Sequence, residues 1–554
     1  MRHQFSTLAE LFDYSTSRFP LRKASGFVEG GQTYTYSMVR DRCDNLSRIL
    51  ATFGVGAGDK VAIFSENMPN WTVAFFATTA FGRIAVPMLP DLSPSEVENI
   101  LRHSEAKALF VSPRMLPKVS QELRSGMRLV INLEDFSLLE SAPEAYTCDG
   151  KVDDPTPSDT AAIIYTSGTT GNAKGVMLSH RNFCANIDAA WHAHRLGHRD
   201  VALSILPMAH TYELSLGMLY PFAAGGKVFY LQKPPTPTIL LDALKRVRPT
   251  MMCTVPLIIE KIYKTSVKPV MRRSRAMRYM HRRFPAILYL LVGRKLRKTF
   301  GGRIRFYGIG GAKLDTEVEK FLKRARFPYA IGYGLTETAP LICNAGPRKT
   351  SIGTTGVVAY GCTVRLEDVN PETGAGQIVV KGPNVMQGYY KDYNRTQSVL
   401  SPDGWFRTGD LAKVDKKGRY SICGRLGSVI IGASGENIYP EEIEQVINQM
   451  GDVNESLVVR RGSSLVALVQ LNENVIDWNL EGSDKLVKDI EERRAAILDF
   501  VNSKVSRFSK ISKVEFTKRP FSKTATQKIR RFLYEDKDSG NGPGPDSGAE
   551  GDEA

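Results

Sequence analysis

YTSGTTGNAKGV, residues 165–176, is the stretch on which the reading of this chain turns. The apolar run AAIIYTS (161–167) reads as a strand that feeds directly into it. Gly168 and Gly171 then stand among four hydroxyl residues, Thr166, Ser167, Thr169 and Thr170, and Lys174 follows three residues after the second glycine. Glycines let backbone N–H groups turn toward an anion, hydroxyls add donors and the lysine supplies charge. This is chemistry suited to a polyphosphate. The spacing is not that of a Walker loop, which needs four residues between its first glycine and Gly-Lys-Ser/Thr.

Working outward, the first three hundred residues or so repeat a strand–helix rhythm. KVAIF (60–64), KALFVS (107–112), GGKVFYL (225–231), MMCTV (251–255) and RIRFYGI (303–309) are short apolar runs of strand type. SPSEVENILRHSE (93–105) reads as a helix that starts cleanly, with Ser93 as cap, Pro94 in the first turn and Glu96 closing a capping box. Strands alternating with helices imply an α/β fold: a large N-terminal domain of stacked, mostly parallel sheets with helices between. After about residue 424 the pattern changes. IYPEEIEQVINQM (438–450) reads as a helix, NESLVVRRGSSLVALVQL (454–471) as a hairpin turning at Arg461–Ser464, residues 485–505 as a charged helix and KVEFT (513–517) as a strand. This is a small α+β domain. The expected division is therefore residues 1–424, 425–535 and an acidic tail, 536–554, with too few apolar residues to fold.

Composition narrows the setting. With 554 residues the chain is too long for one core. Its seven cysteines are scattered without a CxxC pair, which argues against a disulfide framework or a zinc site. The N-terminal stretch lacks the apolar core of a signal peptide and no apolar run reaches the roughly 20 residues that span a bilayer, so the expected location is cytoplasmic. The formal charge of +16 is local: residues 261–305 hold fifteen Lys or Arg and no Asp or Glu, leaving the rest of the chain at +1. No motif for reading RNA or DNA accompanies this patch, and nucleic acid is disfavoured as a partner. Inside it, FPAILYLLVG (284–293) is open to two readings, a core helix with a solvated basic face or a segment lying on an anionic membrane surface.

The loop at 165–176 resembles the phosphate loop of the adenylate-forming superfamily of acyl-CoA synthetases, luciferases and adenylation domains. Five further segments resemble that family in order: LPMAHTYE (206–213), GIGGAKL (308–314) with YAIGYGLTET (329–338), DGWFRTGDLA (403–412), GRLGSVIIGASGENIYPEEIE (424–444) and FSKTATQKIRR (521–531). The resemblance implies that Thr166, Ser167, Gly168, Thr169, Thr170, Gly171 and Lys174 hold the terminal phosphates of ATP. It gives Glu337 to Mg²⁺, Thr336 to the α-phosphate, and Gly310, Gly311, Ala312, Gly332, Tyr333 and Gly334 to the adenine, with His210 bordering the acid. Asp410 and Arg425 would take the ribose, Asp410 because a carboxylate accepts from both hydroxyls of a diol. Lys528 is the implied catalytic lysine of a mobile C-terminal domain.

The same resemblance implies a second half-reaction with CoA, in which GASGEN (432–437) replaces the lysine loop and Gly435 and Glu436 line the thiol entrance. Two positions depart from the family pattern: Gly427 stands where relatives carry Asp or Lys as the hinge, and Gln527 where many have glycine. EKIYK (260–264) and the basic insert after it resemble the bacterial long-chain fatty acid branch, so a fatty acid is the expected substrate. TYELSLGMLYPF (211–222) is expected to line an acyl tunnel, with Gly217 leaving space, or else to be ordinary helix packing. A ligase that loads an acyl carrier protein, and a non-catalytic membrane-associated scaffold on the same fold, are the alternatives. The second needs none of Lys174, Glu337, Asp410 and Lys528.

Overall fold

Two mostly parallel sheets carry the longer part of the chain in the computed structural model, which describes residues 4–142, 154–167, 173–272, 275–431, 437–462, 464–472, 475–476, 484–524 and 529–535. Among these residues one sheet has nine strands, in the order Val357–Val358, Leu341–Ala345, Tyr329–Gly334, Phe306–Ile309, Met251–Thr254, Val201–Ser204, Lys227–Tyr230, Lys23–Phe27 and Thr33–Thr35. The six strands from Tyr329–Gly334 to Lys23–Phe27 pair in parallel, and antiparallel strands close both edges. The other sheet has eight, in the order Gly388–Tyr389, Ala173–Ser179, Thr160–Ser167, Ile84–Met88, Lys60–Phe64, Ala108–Val111, Leu129–Asn132 and Leu138–Ser141. Its strands from Thr160–Ser167 to Leu129–Asn132 are parallel. The expected α/β architecture is present, and its cause is visible in the strands. ALFV (108–111) and MMCT (251–254) are buried at every position, as parallel strands covered on both faces must be.

A helix that is apolar all round has to be buried all round. PNWTVAFFATT, the helix Pro69–Thr79, meets that condition: every residue is buried, and it packs on Lys60–Phe64 and Ile84–Met88 of one sheet and on Lys23–Phe27 of the other. Its one amide side chain ties the layers together. Asn70 accepts a hydrogen bond from the Tyr34 hydroxyl at 2.5 Å and donates to the carbonyls of Leu133 and Glu134 at 2.7 and 2.8 Å. The helix Pro94–Ser104 starts with the expected capping box, Ser93 accepting from the Glu96 N–H while the Glu96 carboxylate accepts from the Ser93 N–H.

The basic insert forms helices Lys268–Arg272, Arg275–Arg283 and Pro285–Thr299. Leu288, Tyr289, Val292 and Leu296 of the last are buried in a core shared with Tyr263 and Phe321, so the core-helix reading holds for one of its faces. Phe284, Ile287 and Leu291 are apolar and about half-exposed. No described helix is long and apolar enough to cross a membrane.

By contacts the chain divides into one unit of Met1–Thr408 with Ala412–Ile422 and another of Gly409–Leu411 with Cys423–Ala554. The second has its own core, in which Ile443, Ile447, Val458, Val469, Ile497 and Val501 are buried. Its helix Pro440–Ile447 and hairpin Val453–Arg461/Ser464–Leu471 lie where expected, with Lys513–Phe516 parallel to the second hairpin strand and a helix over Asp484–Asn502. Residues 536–554 lie outside the described residues.

Replacing Asn70 by Ala strands the buried Tyr34 hydroxyl and the buried Leu133 carbonyl, and removes the partner of the Glu134 carbonyl. A loss of about 3 kcal/mol is expected, read as an earlier midpoint in urea unfolding; an unchanged midpoint would show that the layers do not depend on this side chain.

Candidate active site

The glycine-rich segment is flanked by two paired strands. Thr160–Ser167 and Ala173–Ser179 pair antiparallel, with Thr166 opposite Lys174 and Ser167 opposite Ala173. Gly168, Thr169, Thr170 and Gly171 lie outside the described residues. The Thr166 hydroxyl is buried and finds no hydrogen-bond partner among the described residues. Beside it the Lys174 ammonium lies 2.7 Å from the Glu337 carboxylate and 2.9 Å from the Tyr389 hydroxyl, and that hydroxyl donates to the same Glu337 oxygen at 2.9 Å. Lys174 and Glu337 were both expected in the site. Tyr389 was not, and no motif around it signals the role; it arrives because Gly388–Tyr389 pairs with Val176 and Met177.

Glu337 sits on a single turn, Thr336–Thr338, just beyond the strand Tyr329–Gly334. Buried amides hold that turn. Asn186 donates to the Thr338 carbonyl at 2.9 Å and accepts from the Leu341 N–H at 2.7 Å, while Asn384 donates to the Thr338 and Leu341 carbonyls at 3.2 and 2.7 Å. Gly334 is required where it stands, since a Cβ there would lie 1.6 Å from the Pro340 carbonyl oxygen. Burial alone would raise the Glu337 carboxyl, but the Lys174 ammonium and the Tyr389 hydroxyl overcome it and hold the group below the usual range. It is a carboxylate.

Three expected segments gather at one end of the nine-stranded sheet. Leu206–His210 follows Val201–Ser204, Gly310–Ala312 follows Phe306–Ile309, and Tyr333–Glu337 ends or follows Tyr329–Gly334, all at the carboxyl ends of parallel strands. That is where open α/β sheets place ligands. Tyr333 and Thr336 are partly buried there. Gly308 and Gly310 make room for a protein ring, since a Cβ at Gly310 would come 3.3 Å from Tyr212 and one at Gly308 would lie 2.9 Å from its hydroxyl. The His210 ring accepts from the Tyr212 N–H through Nδ1 at 3.2 Å.

The next stretch is packed rather than open at Gly217. Glu213–Leu219 is a wide π-helical turn, buried throughout, and the space at Gly217 is filled by the Glu213 carboxyl, which a Cβ would meet at 2.4 Å. One Glu213 oxygen has no hydrogen-bond partner among the described residues, while the Ser204 hydroxyl donates to the group. Asn67 donates in turn to Ser204 at 3.1 Å and accepts from the Met208 N–H at 2.9 Å, so a chain of polar groups links Glu213 to the segment that carries His210. Burial pushes the Glu213 carboxyl up to about 8.

The second unit carries Asp410 and Arg425, joined at 2.9 Å, with Asp410 buried. Gly435, Glu436 and Lys528 lie outside the described residues. The stems around Lys528 are secured within their own unit: Lys523 bridges Ile529, its ammonium reaches Glu455 at 2.7 Å, and Arg531 reaches Glu444 at 2.7 Å.

These groups fit a magnesium nucleotide. A buried unpartnered hydroxyl and an ammonium flank the hairpin tip, and an ionised carboxylate stands beside them. Among the described residues there is no cluster of three or more His, Cys, Asp or Glu that could cage a metal. Mg²⁺, which commonly takes one or two carboxylates together with substrate phosphates, needs no such cage. The family described as AMP-binding enzyme matches residues 12–390. The chain belongs to that family. Among curated relatives, this AMP-binding enzyme is 30% identical over 508 residues to the peroxisomal long chain acyl-CoA synthetase 7 of Arabidopsis thaliana, covering 82% of this chain and 71% of the relative. It is 27% identical over 540 residues to the long-chain-fatty-acid–CoA ligase FadD15 of Mycobacterium tuberculosis, covering 88% of each. Among solved structures, ATP-bound MatB from Rhodopseudomonas palustris superposes with a TM-score of 0.74 at 25% identity, covering 95% of this chain and 98% of that one. The AMP complex of O-succinylbenzoate coenzyme A synthetase from Bacillus subtilis shares the fold, with a TM-score of 0.74 at 22% identity and coverage of 94% and 97%.

The raised carboxyl of Glu213 has a measurable cost. Unfolded, the group ionises near its ordinary 4.5, whereas folded it keeps its proton to about pH 8. Between these values the unfolded chain has lost a proton that the folded chain retains, so stability falls by about 1.4 kcal/mol per pH unit. The groups facing it, Tyr212, Tyr230 and Cys253, are themselves pushed upward by burial and stay neutral across this window. Glu213→Gln is expected to gain on the parent steadily from about pH 5 to about pH 8 in urea midpoint; a gap that does not widen with pH would refute a neutral Glu213.

Proposed function

We propose that this AMP-binding enzyme activates a long-chain fatty acid as its acyl-adenylate and passes the acyl group to CoA. The observation that carries the reading is the Lys174–Glu337–Tyr389 cluster, which sets an ammonium and an ionised carboxylate beside a hairpin built for phosphate. The long-chain acyl-CoA synthetases and ligases among its relatives support the choice of acid and of CoA.

Bringing a carboxylate to ATP sets two anions together, and the chain's own groups must offset that charge. Thr166 and Lys174 hold the terminal phosphates with the loop between them. Glu337 holds Mg²⁺, which neutralises phosphate oxygens when bound. Tyr333 and the segments Gly310–Ala312 and Gly332–Gly334 form the adenine side, Thr336 meets the α-phosphate, and Asp410 with Arg425 takes the ribose. A substrate carboxylate oxygen forms a bond to the α-phosphorus as the bond to the bridging oxygen breaks, and pyrophosphate leaves with that electron pair. Lys528 offsets the charge that develops. The CoA thiol, giving up its proton, then attacks the acyl carbon, and AMP departs as the thioester forms.

The second step uses GASGEN, with Gly435 and Glu436 at the thiol entrance, after the small unit turns about Gly427. A Cβ at Gly427 would meet nothing within 4 Å and its φ is of the ordinary kind, so the observed conformation does not itself demand glycine. Its freedom is available to the other conformation. The reading also includes attachment to an anionic membrane surface through residues 261–305, from which an insoluble acid would be drawn.

Pyrophosphate release should appear with long-chain fatty acids across an acid panel and continue to thioester with CoA. Silence with every acid would leave a scaffold, and turnover only with acyl carrier protein would replace CoA. Lys528→Ala is expected to lose on the order of 10²- to 10³-fold in adenylation while still forming thioester from supplied acyl-AMP; an equal fall in both half-reactions would remove the assigned role. Gly427→Pro should slow thioester formation more than adenylation, measured separately, and equal rates would dispose of the hinge.

A further inference from the structure

The basic insert contains a built cavity that the adenylation chemistry does not use. It has a volume of about 300 Å³ and is lined by basic side chains from three helices: Lys268, then Arg278 with His281, then Lys320 and Arg324. The one carboxylate in its wall is Glu317, and both its oxygens are engaged, one by the Tyr263 hydroxyl at 2.9 Å and the other by the Lys268 ammonium at 3.0 Å. Arg278, Lys320 and Arg324 have no carboxylate partner within ion-pair distance among the described residues. Arg324 instead stands over the Tyr289 ring, 5.4 Å from its centroid, and the Tyr289 hydroxyl lies 3.3 Å from His281. Three uncompensated cations converging on a cavity large enough for several waters describe a site for a phosphate-bearing group.

The helix that contributes Tyr289 supplies the second observation. Phe284, Ile287 and Leu291, spaced at one helical face, are each about half-exposed, and the same face continues into the exposed Arg294, Lys295 and Lys298. Its other face is spent on the core through Leu288, Val292 and Leu296. An exposed edge that is apolar in its first turns and cationic in its last matches the interfacial layer of an anionic leaflet, where apolar side chains sink below the headgroups and cations stay among them.

We propose that the insert is a lipid-surface anchor in which this cavity receives the phosphate of an anionic phospholipid headgroup while the Phe284–Ile287–Leu291 edge enters the same leaflet. The inference rests on the membrane attachment proposed above and assigns it a headgroup site. No bond is made or broken; the anchor brings the enzyme to the phase that holds its insoluble substrate.

The full-length protein is tested by co-sedimentation with vesicles of phosphatidylcholine alone and with phosphatidylglycerol added. Binding is expected only with phosphatidylglycerol and should fall as salt is raised. Lys320→Ala with Arg324→Ala should weaken it by roughly fivefold for each cation removed, as should Arg278→Gln taken separately. Ile287→Ser with Leu291→Ser should weaken it through the apolar edge. Soluble dihexanoyl-phosphatidylglycerol should shift the His281 ring resonances saturably, and the Lys320/Arg324 variant should lose that shift. Pyrophosphate release with a short, water-soluble acid reports that each variant has folded, since none of these residues belongs to the adenylation machinery. If the cavity variants bind phosphatidylglycerol vesicles as the parent does, the headgroup site is wrong although attachment stands. If the parent ignores those vesicles, attachment itself fails. If inorganic phosphate shifts His281 as strongly as the short lipid, the cavity takes free phosphate and the lipid assignment is overturned.

Discussion

Everything in the candidate site is arranged around one ion pair, Lys174 with Glu337, at 2.7 Å. Lys174 comes from the eight-stranded sheet and Glu337 from the end of a strand in the nine-stranded one, so the pair joins the two layers where they present their ligand-bearing ends. Both groups are largely removed from water, and a single charge left there would carry a heavy desolvation penalty. Together they are balanced, and Tyr389 fixes the carboxylate by donating to the oxygen that the lysine uses. In the proposed reaction each partner has a successor: the ammonium moves to phosphate and the carboxylate to the metal that accompanies it. Charge is balanced before binding and after it. Such a pair holds the site in shape without stabilising the empty form so strongly that the substrate cannot displace it.

A second buried carboxyl is treated in the opposite way. Glu337 is kept ionised by a neighbouring cation, whereas Glu213, meeting only hydroxyls and a thiol, is pushed up and kept neutral. Two carboxyls whose environments drive them apart are doing different jobs. The site must admit a carboxylate beside a triphosphate, and a further negative charge under the His210 segment would oppose both. As a neutral acid Glu213 fills the gap at Gly217, and through Ser204 and Asn67 it braces Met208, two residues before His210. The wide turn on which it stands, of a kind common at functional sites, is what lets a side chain reach the glycine four positions on.

The parts of this architecture legible in the sequence are those written in contiguous residues. The phosphate hairpin announces itself because its hydroxyls, glycines and lysine fall within a dozen positions, and the parallel strands because burial on both faces makes them continuously apolar. The capping box at Ser93 is legible for the same reason. Tyr389 is not, because it belongs to the site only through a strand pairing with Val176, a residue far away in sequence. Asn186 and Asn384, which hold the Glu337 turn, are likewise ordinary amides until the fold brings them to the Thr338 carbonyl. FPAILYLLVG stayed open to two readings because its first turns are apolar on every side; periodicity cannot say which face is covered when both would profit from it. Packing decides, burying Leu288 and Val292 and leaving Ile287 and Leu291 outside.

The small unit poses a different constraint. A lysine that must meet a developing charge needs placement finer than a free loop provides. On either side of residues 525–528 the chain is tied down within that unit, by the Lys523–Ile529 bridge, the Ser522 carbonyl accepting from the Arg530 N–H, and the ion pairs of Lys523 with Glu455 and Arg531 with Glu444. The segments on either side of them belong to a folded body with its own core. In the proposed second step the small unit would turn about Gly427, where a Cβ would meet nothing within 4 Å, to exchange the lysine loop for GASGEN. Two chemistries that would interfere if present together, one built for phosphate and one for a thiol, can then share a single set of bound atoms in succession.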